Sequence, residues 1–179
     1  MVFGELEIKQ QVAYYRKDAE SIFEEAIRLF IQQWAAQKVT LVDQTTKNIL
    51  SLTIQRGLTE GLSNREISKL ILKTGNIRSG TRAMMIAQTE THTAMTYGID
   101  EAVNSTGVEF EREWSTAGDQ RVRPWPGSKS KFNHRLADGQ TRKQKEPFDV
   151  SGEKLMYPGD PTGSGGNIIR CRCIVLYNS

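Results

Sequence analysis

The stretch GIDEAVNSTGVEFEREW, Gly98 to Trp114, changes its hydrophobic period at Gly107 and thereby decides the fold. On its N-terminal side the small and apolar positions Ala83, Ile86, Ala87, Ala94, Gly98 and Ala102 fall close to one helical stripe, which predicts a helix from about Thr81 to Ser105. On its C-terminal side Val108, Phe110 and Trp114 alternate with Glu109, Glu111 and Glu113, the period of a half-buried strand. Helices are therefore expected before Gly107 and strands after it.

Working outward confirms the division. Leu6, Val12, Tyr15, Ile22, Phe23, Ala26, Ile27, Phe30 and Trp34 recur at steps of three and four, predicting a helix from Glu5 to about Ala36. A second helix is expected from Asp43, as N-cap, through Ile49, Leu50, Thr53, Ile54 and Leu58 to Gly61. Ser63 and Glu66 have the spacing of a capping box, so a third helix carrying Ile67, Leu70 and Ile71 should start there and end at Gly75-Asn76. No proline interrupts the chain before Pro124, whereas all 5 prolines and many glycines fall between 118 and 166, where long ordered loops are expected. A last strand, Ile168 to Tyr177, closes the chain, and Gly159 to Gly166 reads as a flexible connection. The fold class is α+β: an N-terminal helical part of about four helices, then a small, loop-rich antiparallel β part. Residues 1–40 are read as an N-terminal helix or arm, 41–107 as the helical part of one module and 108–179 as its β part.

With 179 residues, 25% of them charged and 37% hydrophobic, neither wholesale disorder nor a membrane protein is expected. No apolar run approaches the ~18 residues that a spanning helix needs. Met1 to Glu7 lacks the basic and apolar segments of a secretion signal. Two cysteines, Cys171 and Cys173, do not make a disulfide framework and fit a reducing cytoplasm. The net charge of +3 is unevenly placed: residues 1–107 carry 12 basic and 12 acidic groups, residues 108–179 carry 12 and 9. Arg121, Arg123, Lys129, Lys131, Arg135, Arg142, Lys143 and Lys145, interleaved with Trp125 and Phe132, suit sequence-independent contact with nucleic acid.

Three constellations carry chemistry. Asp119, His134 and Asp138 together invite a metal-dependent acid–base reading, against which Asp138-Gly139 is also an ordinary turn. Cys171, Cys173 and His134 supply three ligands that suit zinc; a fourth is unassigned, and no Cys-x-x-Cys pair is present. His92 reads as a surface residue of the helical part. Glu90 stands inside the apolar stripe of its helix, either facing water or anchoring an arginine from the second part.

The order of these motifs carries a resemblance. Ala87-Gln88-Thr89-Glu90-Thr91, Gly98, Gly107-Val108, Trp114, Asp119-Gln120-Arg121-Val122-Arg123, His134, Asp138-Gly139-Gln140, Phe148, Tyr157-Pro158-Gly159-Asp160-Pro161 and Cys171-Arg172-Cys173 together resemble the phage Mu F-like minor head proteins. These are also called phage head morphogenesis proteins, and the likeness runs over roughly residues 43–175. It implies a non-enzymatic minor capsid protein of a tailed phage or prophage, found in the virion head and in the host cytoplasm during assembly. Its implied partners are the portal or other head proteins, met through the helices, and DNA bound without sequence preference; no membrane and no cofactor other than zinc are implied. Family proteins are usually longer at the N-terminus, so the chain resembles a C-terminal module or a short member. Several relatives carry a Cys-x-x-Cys pair just after the aspartate of the Trp–Asp motif, completing a zinc site with the final Cys-Arg-Cys. Here Arg121-Val122-Arg123-Pro124-Trp125 stands in that place, and two implied ligands are missing. In their stead Glu90, Asp119, Arg121, Arg123, His134, Asp138 and Gly139 are expected to form a polar clasp, so that Asp119→Ala would lower the melting temperature by several degrees. The reading from another class is a metal-dependent nuclease or toxin-like domain that uses Asp119, His134 and Asp138; a third is a plain nucleic-acid-binding module.

Overall fold

The computed structural model describes residues 3–40 and 42–178, with the side chains of residues 3–17 and 19 outside that description. Leu6, Val12 and Tyr15 of the first predicted stripe are among those side chains. Four helices come first: α1 (Phe3–Trp34), α2 (Gln44–Thr59), α3 (Asn64–Lys73) and α4 (Gly80–Ser105). Strands β1 (Glu111–Thr116), β2 (Thr141–Lys143), β3 (Phe148–Val150) and β4 (Glu153–Leu155), a short helix α5 (Gly165–Ile168) and strand β5 (Cys173–Asn178) follow. The fold is α+β, with the four long helices before Gly107 and small antiparallel sheets, joined by loops and the one-turn α5, after it.

Local chemistry sets the helix ends. The Asp43 carboxylate accepts the Thr46 amide at the start of α2, and Ser63 and Glu66 close their reciprocal box at the start of α3. Gly75 and Gly107 follow α3 and α4 with positive φ, the conformation in which glycine ends a helix without a Cβ clash. One apolar cluster, built from Leu50, Ile54, Ile67, Ile71, Ala83 and Ala87, lies between α2, α3 and α4. A second joins the end of α1 to α4 through Phe30, Ile31, Ala35 and Ala94. The two helices approach closely because α4 offers Gly98, where a Cβ would stand 2.8 Å from Ile27 and 2.9 Å from Phe23. The buried stripe of α1 runs through Ala26, Phe30, Ile31 and Ala35, so Ile22 and Trp34 sit at its edge, more exposed than predicted.

In the β part β1 is the centre of a three-stranded sheet, ordered β2-β1-β5, and β3 pairs with β4 in a hairpin. The pairing is antiparallel throughout, with Trp114 opposite Val175 and Thr116 opposite Cys173. Its core gathers Trp114, Ala137, Phe148, Val150, Leu155, Cys171 and Cys173. Two expectations are corrected here. The last strand starts at Cys173 rather than Ile168, because Gly165–Ile168 makes a helical turn and Arg170 takes a left-handed φ of 53°, leaving Cys171 outside the ladder. Nor is Gly159 to Gly166 a flexible connection. The buried Asp160 carboxylate accepts the Met156 and Thr162 amides, and Lys38 donates to the Gly163 carbonyl.

Candidate functional site

The helical and β parts meet on a second, polar face of α4 that the apolar stripe did not reveal. Thr89, Thr93 and Thr96 recur along it, each buried. Thr89 Oγ1 accepts the Arg170 amide at 3.1 Å, and the Thr96 hydroxyl donates to the Pro158 carbonyl at 2.7 Å. Between them Gly159, at φ 88°, presses so close that a Cβ would lie 2.7 Å from Thr93 Oγ1. One turn further Asp100 completes the face.

Asp100 answers an arginine that strand parity turns inward. Alternation in β1 puts residue 112 on the same face as Phe110 and Trp114, and there it is fully buried. Such a cation must be paired and hydrogen-bonded. Arg112 Nη1 reaches Asp100 Oδ1 at 3.0 Å and the Met156 carbonyl at 3.1 Å, Nη2 donates to the Glu146 carbonyl at 2.5 Å, and the guanidinium lies over the Phe148 ring. The Tyr177 hydroxyl and the Asn104 amide donate to the same aspartate. The sequence left Glu90 either facing water or anchoring an arginine; it does neither, and Asp100 anchors the arginine. Glu90 instead accepts the Ala36 amide at 3.0 Å at the end of α1, and its burial pushes the carboxyl up to about 7 against that one stabilising bond.

Deeper in the β part His134 faces the two thiols. Its Nδ1 stands 3.7 Å from Cys171 Sγ and 3.4 Å from Cys173 Sγ, and its Nε2 is 3.2 Å from Asn167 Oδ1. Asn167 in turn donates Nδ2 to the Val150 carbonyl at 3.0 Å. Both cysteines are free and buried. Shared hydrogen bonding with Cys173, reinforced by His134 and His92, holds the Cys171 thiol well below its ordinary value, and the same sharing pushes Cys173 up. Among the described residues, His134, Cys171 and Cys173 are the group whose ligand atoms converge, all within 4.8 Å of one another. A cavity of about 880 Å³ opens beside them, lined by Met85, Gln88, His92, Arg121, Arg123 and Cys171 among others. His92 is half-buried in the wall of that cavity, which corrects its reading as a surface residue; its Nε2 is sealed from solvent without a hydrogen-bond partner.

The expected clasp is not one network. Asp119 pairs with Arg121 at 2.9 Å and Arg172 at 2.7 Å on the surface, and its carbonyl accepts from Arg135. Asp138 accepts the Thr116 amide at 2.7 Å, and Gly139, at φ 73°, donates to the Trp114 carbonyl, as a turn that holds β1 requires. Arg123 is buried and donates to the Gly166 carbonyl, so it is withdrawn from the proposed nucleic-acid set. Arg142 spends its guanidinium on the Pro147 and Thr141 carbonyls. Arg121, Lys129, Lys131, Arg135, Lys143 and Lys145 remain exposed. Asp119, His134 and Asp138 therefore occupy three separate environments, two at the surface and one in the core. Asp100, Arg112 and His92 were missed; the signal for Arg112 was its place between Phe110 and Trp114 on an alternating strand.

A family model described as Phage Mu protein F like protein matches residues 48–176, from α2 to β5, and includes His92, Asp100, Arg112, His134, Cys171 and Cys173. No curated protein and no solved structure matches the chain. Among the described residues no helix is long and apolar enough to cross a membrane.

Proposed function

The chain belongs to the phage Mu protein F-like family, whose members are phage head morphogenesis proteins; from that premise we propose that it is a structural minor head protein which acts at the portal vertex during procapsid assembly. The family match across both parts of the fold carries the reading. The surface agrees with it. The helical part leaves Ile22, Leu29, Leu52 and Ile99 exposed, apolar groups of the kind that a protein partner covers. The portal, or another head protein, is that partner. Exposed Arg121, Lys129, Lys131, Arg135, Lys143 and Lys145 add a basic surface suited to DNA phosphates without sequence preference.

The test is genetic and biochemical. With the gene deleted from its phage or prophage, particles are expected to show aberrant or empty heads, and in the parent the chain should co-sediment with procapsids and bind purified portal protein. Normal infectious heads without the chain would overturn the proposal, as would its absence from procapsids.

A further inference from the structure

We propose that His92, His134, Cys171 and Cys173 form a structural zinc site in which His92 ties helix α4 to the β part. Three of the four groups already converge in the core. What distinguishes them from a chance cluster is how His134 is oriented. Asn167 donates Nδ2 to the Val150 carbonyl, so its Oδ1 faces His134 and accepts Nε2–H. That fixes the tautomer and leaves the single in-plane lone pair of Nδ1 aimed between two sulfurs. One lone pair accepts one S–H donor, yet both sulfurs lie at similar range, 3.7 and 3.4 Å. Tetrahedral zinc with ordinary Zn–S and Zn–N lengths separates its sulfur and nitrogen ligands by about 3.5 Å. The two observed distances bracket that value.

His92 supplies the fourth position. Thr89 holds the Arg170 amide against α4, and His92, three residues on, lies on the same helix face and lines one cavity with Cys171 and Cys173; it stands outside the 4.8 Å group of the other three ligand atoms and closes on them when the metal binds. Its Nε2 is buried with nothing to bond, in a cavity shared with Cys171 and Cys173. An orphaned ring nitrogen in a wall of thiols is costly as an empty acceptor and apt as a ligand. Trp114, in the same core cluster as both cysteines, likewise keeps its Nε1–H sealed from solvent without a hydrogen-bond partner, a donor free to serve as an outer partner of a bound thiolate. Two thiolates and two neutral imidazoles are soft-to-borderline donors that select zinc over magnesium or calcium, and together with Zn²⁺ they sum to zero charge in the core. With four protein ligands there is no open position for a water, so the site is structural rather than catalytic. The set differs from the Cys-x-x-Cys arrangement that the sequence lacks, since its two histidines come from α4 and from the turn at His134–Leu136.

The experiment uses the whole chain, purified without chelator. About one zinc per chain is expected by elemental analysis, and cobalt(II) added to chelator-treated protein should give visible d–d bands and sulfur-to-cobalt charge transfer. Zinc should also shield both thiols from alkylation. His92→Ala should weaken zinc binding by more than the roughly 10–100-fold that loss of an outer partner costs. His92→Cys, which offers another ligand at the same place, should recover most of that loss and keeps the test usable if His92→Ala fails to fold. No bound zinc together with no cobalt spectrum would overturn the site, and unaltered affinity in a folded His92→Ala protein would overturn the role of His92.

Discussion

Between α2, α3 and α4 the molecule closes over Leu50, Ile54, Ile67, Ile71 and Ala83, an apolar cluster reached by short local connections. The β part, of similar purpose, instead buries Arg112, His134 and Asn167 beside Trp114 and Phe148. The reason is geometric. Helices of 10 to 32 residues present whole apolar faces, whereas strands of 3 to 6 residues cannot cover one another, and loops supply most of the β part. Loop backbone brings unpaired carbonyls and amides inward, and buried side chains must satisfy them. Arg112 takes two such carbonyls, Asn167 a third, and Asp160 two amides. The comparison teaches that a small β part can be ordered by polar side chains acting as struts, at the risk that removing one leaves several groups unpaired.

The largest effect should come from the strut that joins the two parts. Arg112→Ala leaves Asp100 charged and buried, with the Met156 and Glu146 carbonyls bare, and breaking a buried pair in this way costs about 3–5 kcal/mol. For a chain of this size that is a fall of about 10 °C in melting temperature. The β part should be lost first, so in a Trp34→Phe, Trp125→Phe background that leaves Trp114 as the one tryptophan, its near-ultraviolet signal is expected to vanish at a temperature where helical circular dichroism persists. A single transition with both signals moving together would break the proposed division. Arg112→Lys, which keeps the charge and loses the planar fork, should fall between the parent and the alanine variant.

A buried charge in the apolar part sharpens the comparison from the other side. Glu90 has one hydrogen bond, from Ala36, and its carboxyl titrates near about 7 in the folded chain against an ordinary 4.5. Because the folded value is raised, the folded state holds the proton more tightly between those two values. Stability is then greatest below pH 4.5 and is lost as pH rises through 7. The shift corresponds to about 3 kcal/mol at pH 8, as an order of magnitude. Glu90→Gln keeps an acceptor for Ala36 without the charge, so it should flatten the pH dependence and raise stability at pH 8. Urea unfolding of both proteins at pH 5 and pH 8 measures this; parallel pH slopes would show that Glu90 is solvated.

How legible each part was follows from the same contrast. Helix ends were readable because a cap is a local event: Asp43, Ser63, Glu66, Gly75 and Gly107 act on backbone within a few residues. The apolar stripe of α4 was readable from its period. Its polar face was not, since threonines at Thr89, Thr93 and Thr96 look like solvated positions until loop 157–170 is folded onto them. In the β part, composition announced ordered loops and alternation announced β1, but partners 12 to 81 residues apart in the chain leave no periodic trace. His134, Cys171 and Cys173 were candidates by residue type alone. His92 was read as a surface residue because its place in the cavity wall depends on which face of α4 meets the turn at Arg170, and that is a tertiary fact.

Asp119→Ala gives the smallest expected effect. Sequence reasoning made Asp119 the centre of a clasp worth several degrees. In the fold Arg121 is exposed, at 74% of its side chain, and Arg172 is half-buried at the surface, at 34%, so water and salt reach both pairs, the Arg121 pair most. The carboxyl is nevertheless held below its usual range by the Arg121 amide and the Arg121 and Arg172 side chains, against desolvation. Its contribution is thus present above the ordinary carboxylate value and fades on acidification, and added salt should weaken it further. Melting curves at neutral pH in low and high salt decide the matter: a fall far short of that for Arg112→Ala, smaller still in high salt, is the expected outcome. A loss equal to that of Arg112→Ala, insensitive to salt, would mean that exposed struts order the β part as strongly as buried ones. The contrast would then lie between loops and helices rather than between buried and exposed charge.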